Sequence, residues 1–170
     1  VTSLNDVFSF EEVVSWEEKI IKILQEKPQY FCELKLDGLS VTLIYKNRKL
    51  FQGLTRGDGF FGEDITENVK VVKNVPLVLP AFAPEEIVIR GEVVMLKETL
   101  EKINKKNEKE GKPLLANTRN AASGSIRQLD TDLVKERELN FYAWDLVDFK
   151  DSNQKISFNN HSDKHLFLRK

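Results

Sequence analysis

Apolar residues Val13, Trp16, Ile20, Ile23 and Leu24 recur at intervals of three and four, the spacing of one helical face. Ser9-Phe10-Glu11-Glu12 ahead of them is a capping-box pattern, so a helix is predicted over residues 10–26, with Pro28 as its stop. The period then changes to two. Residues 30–36 read as a strand turning at Asp37-Gly38, with Glu33, Lys35 and Asp37 on one face and Cys32, Leu34 and Leu36 on the other. Residues 41–45 and 49–55 read as a hairpin closed over Lys46-Asn47-Arg48. Residues 87–95 form a further strand, in which Arg90, Glu92 and Val94 alternate with Ile89, Gly91 and Val93. A charged helix over 100–110 ends at Gly111, a helix or turn-helix of small residues covers 117–129, and residues 139–147 are a strongly apolar strand. Strands joined by hairpins and interrupted by helices predict an α+β fold of antiparallel sheets with flanking helices.

Composition narrows the picture without assigning a function. A chain of 170 residues, 31% charged and 41% hydrophobic, is one domain's worth and can bury a real core. Its net charge of −1 argues against a uniformly basic nucleic-acid coat and leaves room for a local basic surface. A single cysteine, Cys32, rules out an intrachain disulfide and a cysteine-rich zinc site, as in a reducing cytoplasm. No apolar run approaches the roughly 20 residues of a membrane span, and no basic stretch followed by an apolar one opens the chain. A soluble, cytoplasmic protein is expected.

Chemistry concentrates in four places. In Cys32-Glu33-Leu34-Lys35-Leu36-Asp37-Gly38 a lysine stands between two carboxylates. A lysine amine attacks a carbonyl or a phosphorus once deprotonated, whereas adjacent carboxylates favour the ammonium form, so catalysis there calls for a metal ion, nearby basic groups or a carboxylate that takes the proton. A solvated sheet face with cross-strand ion pairs would carry the same residues. Thr55-Arg56-Gly57-Asp58-Gly59, followed by Gly62-Glu63-Asp64-Ile65-Thr66, is either a surface loop or a glycine-rich segment whose backbone approaches a ligand, with Arg56 on a phosphate or a base. Arg90-Gly91-Glu92 suits either a ribose hydroxyl or a strand ion pair. In the segment 117–128, Arg119 and Arg127 are eight residues apart among small residues, close to two helical turns; that face could accept a phosphate backbone, pack closely on a neighbour, or do both.

Taken together these strings resemble the adenylation domain of bacterial NAD-dependent DNA ligase. The resemblance rests on Ser3-Leu4, Glu33-Leu34-Lys35-Leu36-Asp37-Gly38, Thr55-Arg56-Gly57-Asp58-Gly59, Gly62-Glu63-Asp64-Ile65-Thr66, Arg90-Gly91-Glu92 and Asn120-Ala121-Ala122-Ser123-Gly124-Ser125-Ile126-Arg127-Gln128-Leu129-Asp130, in the family's order along nearly the whole chain. ATP-dependent ligases and messenger-RNA capping enzymes share Lys-x-Asp-Gly, and the Gly-Glu-Asp-Ile-Thr and Arg-Asn-Ala-Ala strings favour the NAD branch over them. The resemblance implies a nucleotidyltransferase fold. It implies Lys35 as the nucleophile that takes AMP from NAD and passes it to the 5′-phosphate of a nick, Asp37 as support of the catalytic centre, and Ser3, Leu4, Glu33, Leu36, Arg56 and Glu92 about the nucleotide. Arg119 and Arg127 match arginines tied to DNA contact and nick sealing. It further implies Mg2+ held through phosphate oxygens and no metal ligand in this chain, zinc belonging to a domain beyond it. Nicked duplex DNA is the implied partner, in replication and repair. A monomer in the bacterial cytoplasm, associated with the nucleoid, is expected.

The chain departs from the family pattern at both ends. Residues 1–170 read as a partial adenylation domain truncated at both ends, with a recognisable core over 1–150 and a polar tail over 151–170. The subdomain that holds the nicotinamide half of NAD and the later lysine motifs that engage phosphates are missing, as are the domains that follow. Asn5-Asp6 stands where many members have Asp-Asn. His161 and His165 are read as incidental, not as metal ligands. Weak or no self-adenylation is expected of this stretch alone, and a non-catalytic adenosine- or DNA-binding piece is the alternative.

Overall fold

The computed structural model describes residues 6–58, 61–150 and 156–169. They fall into two compact units, Val1–Leu34 and Lys35–Lys170.

The first unit is built on helix α1, Phe10–Leu24. Ser9 caps it by accepting from the Glu12 N–H at 3.2 Å, and the Glu12 carboxylate reaches back to the Phe8 N–H at 2.6 Å. The capping pair predicted at Ser9 and Glu12 therefore forms, displaced by one residue on its return bond. Gln25 ends the helix in the left-handed conformation, φ 59°, its N–H returning to Ile21 O, so the helix stops two residues short of the predicted 26. Trp16 packs its ring on Tyr30, centroids 5.5 Å apart.

The second unit is a four-stranded antiparallel sheet in the order β2-β1-β3-β4, with β1 Leu39–Lys46, β2 Lys49–Thr55, β3 Glu86–Val94 and β4 Asn140–Lys150. Helices α2 Thr66–Lys70, α3 Lys97–Lys109, α4 Thr118–Ile126, α5 Thr131–Glu136 and α6 His161–Leu168 surround it. The β1–β2 hairpin turns tightly through Asn47 and Arg48, both at positive φ, as a two-residue turn matched to strand twist requires. Period-two alternation puts Val41, Leu43, Tyr45, Ile87, Ile89 and Val93 into one buried cluster with Ala121, Ala122 and Ile126 of α4, and an irregularity in the β3–β4 register brings both Phe141 and Leu146 to it. Gly91 of β3 faces the Phe141 ring so closely that a Cβ would lie 2.2 Å from its Cζ.

Two expectations change. Residues 30–36 are not a strand; the first strand begins at Leu39. Alternating side chains do not suffice for a strand, because its backbone needs a neighbour to receive its hydrogen bonds, and β1 already has β2 and β3 on its two sides. The shared face proposed for Glu33, Lys35 and Asp37 goes with that strand. Helices α2, α5 and α6 are not among the predicted elements; α6 is capped by Asn160 and Asp163 in a reciprocal capping box, and Phe158 and Phe167 pack against the core.

Candidate functional site

The Lys-x-Asp-Gly segment leads into β1, and its glycine explains the join. At Gly38 a Cβ would lie 2.2 Å from Val93 O, so only glycine lets the chain enter the sheet this close to β3. Glu92 stands opposite Ser40 in the β1–β3 register, with the Gly38 N–H close enough to favour its ionised form. Glu92 belongs to the β3 face that carries Val88 and Arg90, away from the Ile89, Gly91 and Val93 core positions, and is half-buried. Burial raises its carboxyl above the ordinary value; the Gly38 N–H and the positive charges of Lys35 and Arg119 offset part of the rise, and the negative charge of Asp37 adds to it. Lys35, Asp37, Glu92 and Arg119 thus lie within electrostatic reach of one another.

Lys35 is exposed, as is Asp37, while Leu36 between them is half-buried. Asp37 Oδ1 lies 3.4 Å from Arg119 Nη1 as an ion pair, both side chains largely in solvent, so the pair contributes little to stability and leaves both groups accessible. Glu33 is exposed and belongs to the first unit. Ser3, Leu4, Asn5 and Gly59 lie outside the described residues.

The glycine-rich strings are one folded device. Thr55, the last residue of β2, donates its N–H to Glu63 O at 3.0 Å and accepts the Glu63 N–H on its hydroxyl at 2.9 Å. Gly57 turns at φ 52°, where a side chain would be strained, and a Cβ would fall 1.6 Å from Phe61 O. Asp64 accepts from the Thr66 N–H at 2.9 Å, from the Thr66 hydroxyl at 2.6 Å and from Gln52 at 3.0 Å, which hold its carboxyl below the usual value. Thr66 in turn accepts the Gly53 N–H at 3.0 Å, so this acidic string docks α2 on the edge strand β2. Arg56 leaves the sheet with its side chain exposed and its N–H bonded to Ser40 O at 3.2 Å.

Helix α4 carries the remaining arginines at its two ends. Asn117 caps the start, accepting from the Asn120 N–H at 2.7 Å, and Arg119 lies in the first turn. The helix ends at Ile126, earlier than the predicted 129, and Arg127 is its C-cap. Ala121, Ala122, Ser125 and Ile126 are buried, so close packing through small residues and exposed arginines hold together, as both sequence alternatives allowed. Arg127 Nε lies 2.7 Å from Glu63 Oε2. A buried side chain that sequence reasoning passed over, Asn68 of α2, donates to Ile126 O at 2.5 Å and to Gln128 O at 2.8 Å. An asparagine one residue before buried Val69 at helical spacing was its only sequence signal.

Of the two histidines, His161 and His165 on α6 have ring nitrogens 3.1 Å apart, with Asp145 of β4 at 4.0 Å from His161 Nδ1 and at 2.8 Å from Lys164. Among the described residues no helix is long and apolar enough to cross a membrane.

The sequence comparisons identify the family. A chain named DNA ligase from Campylobacter lari is 46% identical over 167 residues, which cover 98% of this chain and 24% of that protein. DNA ligases from Ligilactobacillus salivarius and Mesoplasma florum are 45% and 46% identical over 86% and 84% of this chain. The chain spans about a quarter of the length of these curated relatives. The family model described as the NAD-dependent DNA ligase adenylation domain matches residues 1–170, the whole chain, and the chain belongs to that family.

Proposed function

We propose that this chain is the nucleotide-accepting part of a DNA ligase that seals nicks in duplex DNA with NAD as the AMP donor, with Lys35 as the nucleophile. The observation that carries the reading is the cluster at the start of β1: an exposed lysine, with Asp37 and Gly38 two and three residues on, lies within electrostatic reach of a half-buried carboxylate, Glu92. A carboxylate that burial disfavours when ionised is suited to accept from a ribose hydroxyl, which would restore some of the lost hydration. Leu36 and Arg56 complete the nucleotide side in this reading, as do Glu33, Ser3 and Leu4 in the family pattern.

Lys35 Nζ attacks the adenylyl phosphorus; the N–P bond forms as the phosphoanhydride P–O bond breaks, the amine proton departs to solvent or a nearby carboxylate, and nicotinamide mononucleotide leaves. The 5′-phosphate oxygen of a nick then attacks the same phosphorus, the N–P bond breaks, and Lys35 is regenerated. The 3′-hydroxyl finally attacks the adenylated 5′-phosphate and AMP leaves with the electron pair of the broken anhydride. Arg119 and Arg127 position the DNA phosphates, and Asp37 holds Arg119 and tempers the charge about the lysine. Magnesium, bound through substrate phosphate oxygens, neutralises charge developing on them. Replication and repair in the bacterial cytoplasm are the setting this activity implies.

The test is the intact mass of the protein after incubation with NAD and Mg2+, in parallel with ATP and with Lys35→Ala. An AMP adduct from NAD that is absent in the variant is expected of the whole protein. An adduct from ATP alone, or one that survives in Lys35→Ala, overturns the reading.

A further inference from the structure

We infer that Asn68 is a positioning residue for Arg127, holding the end of α4 so that this arginine is presented to the nick. The inference rests on the reading of Arg127 as a DNA-phosphate contact and adds what places it. Helix ends leave carbonyls without intrahelical partners, and an end that carries a functional side chain must be fixed by something outside the helix. Here that is the carboxamide of Asn68. Its two N–H groups go to the carbonyls on either side of Arg127, those of Ile126 and Gln128, at 2.5 and 2.8 Å.

The chemistry of the clamp is specific. Two carbonyl oxygens converge on one buried side chain, so only a group with two donors and no charge satisfies both. Aspartate has the same shape and would turn both contacts repulsive; serine has one donor; leucine has none. The clamp is also long-range: residues 58 and 60 positions apart are joined, linking the string that begins at Gly62 to the one that ends at Asp130. The same two strings meet a second time where Glu63 Oε2 receives Arg127 Nε at 2.7 Å. Glu63 is itself fixed by its backbone pair with Thr55. Arg127 is therefore held through its backbone by Asn68 and through its side chain by Glu63, while that side chain stays about half exposed, 46%. A DNA phosphate can displace the exposed Glu63 carboxylate; it cannot displace the buried amide. Asn68 sets where the arginine is, and Glu63 occupies it until a phosphate arrives.

A residue that only stabilised the fold would weaken every step alike. A positioning residue for Arg127 weakens the steps on DNA and spares the step at Lys35. The experiment compares Asn68→Leu and Asn68→Ser with the unaltered whole protein in melting temperature, in the rate of lysyl-AMP formation from NAD, and in the sealing of a nick already adenylated on its 5′-phosphate. Sealing is expected to fall about 10- to 100-fold in Asn68→Leu and less in Asn68→Ser, the scale of a misplacement near 1 Å, with lysyl-AMP formation within about threefold of the unaltered rate. Combined with Arg127→Ala, Asn68→Leu is expected to add no further loss, because both act through one group. Should Asn68→Leu fail to fold, the same comparison is made with Asn68→Ser. Equal losses in both steps, or losses that multiply with those of Arg127→Ala, would overturn the inference. Normal sealing by Arg127→Ala would overturn it through the reading of Arg127, an outcome distinct from normal sealing by Asn68→Leu in a protein that needs Arg127.

Discussion

Glu92 is where stability and the proposed ribose contact pull in opposite directions. Its carboxyl is raised above the ordinary value mainly by burial, so folding takes up a proton at this position as pH enters that range. The contribution is then fully present below the unfolded value of about 4.5 and is lost as pH rises through the higher folded value; at pH 7 the buried ionised group costs stability. Glutamine keeps an acceptor for the Gly38 N–H and removes the charge. Glu92→Gln is therefore expected to raise the melting temperature at pH 7 by about 1–2 °C, with the gap closing as pH approaches 4.5, while lysyl-AMP formation falls at least tenfold. Thermal denaturation across pH, beside the adenylation assay, checks both halves; a variant that melts lower at pH 7 with a gap independent of pH would contradict the assignment of burial as the cause. The presence of Glu92 in a candidate site was legible in the sequence. Its raised carboxyl was not, because burial is a property of neighbours contributed by β1 and β3 together.

Element by element, the strings read best where one local pattern decided the structure. The alternation along β3 held from Ile87 to Val93, the hairpin closed at Asn47 and Arg48, and the small-residue helix packed through Ala121 and Ala122. Alternation misled at residues 30–36, where no strand among the described residues completes the ladder. Helix α2 was missed because five residues are too few for a periodic signal; what forms it is the docking of Asp64 and Thr66 on β2. Thr66→Val tests that docking. It preserves shape and β-branching but leaves the Gly53 N–H and the Asp64 carboxylate short of a partner, so unfolding in urea is expected to show a loss of about 1–3 kcal/mol. A change within a few tenths of a kcal/mol would mean that water replaces the hydroxyl, and that the docking rests on Ile65 and Val69 instead.

For the whole molecule, a net charge of −1 conceals an uneven arrangement: two arginines at opposite ends of α4 each face a single exposed carboxylate, Asp37 and Glu63. Exposed pairs of this kind are worth well under about 1 kcal/mol, so a polyanion competes with them readily. In the whole protein the affinity for nicked duplex is expected to fall linearly with log salt, and Arg127→Ala to reduce that slope by about one phosphate's worth; an unchanged slope would place Arg127 away from the backbone. The sequence by itself determined the family, the antiparallel α+β class and the chemical identity of the cluster, since lysine, aspartate, glutamate and arginine carry their chemistry wherever the chain puts them. Tertiary structure alone decided that Lys35 stands on an irregular segment ahead of β1, that glycine at position 38 lets the chain enter the sheet close to β3, and that Asn68 holds the end of α4 across 58 residues. Those are matters of which backbone groups find partners, and a hydrogen-bond partner far away in the chain leaves no periodic trace in the residues that use it.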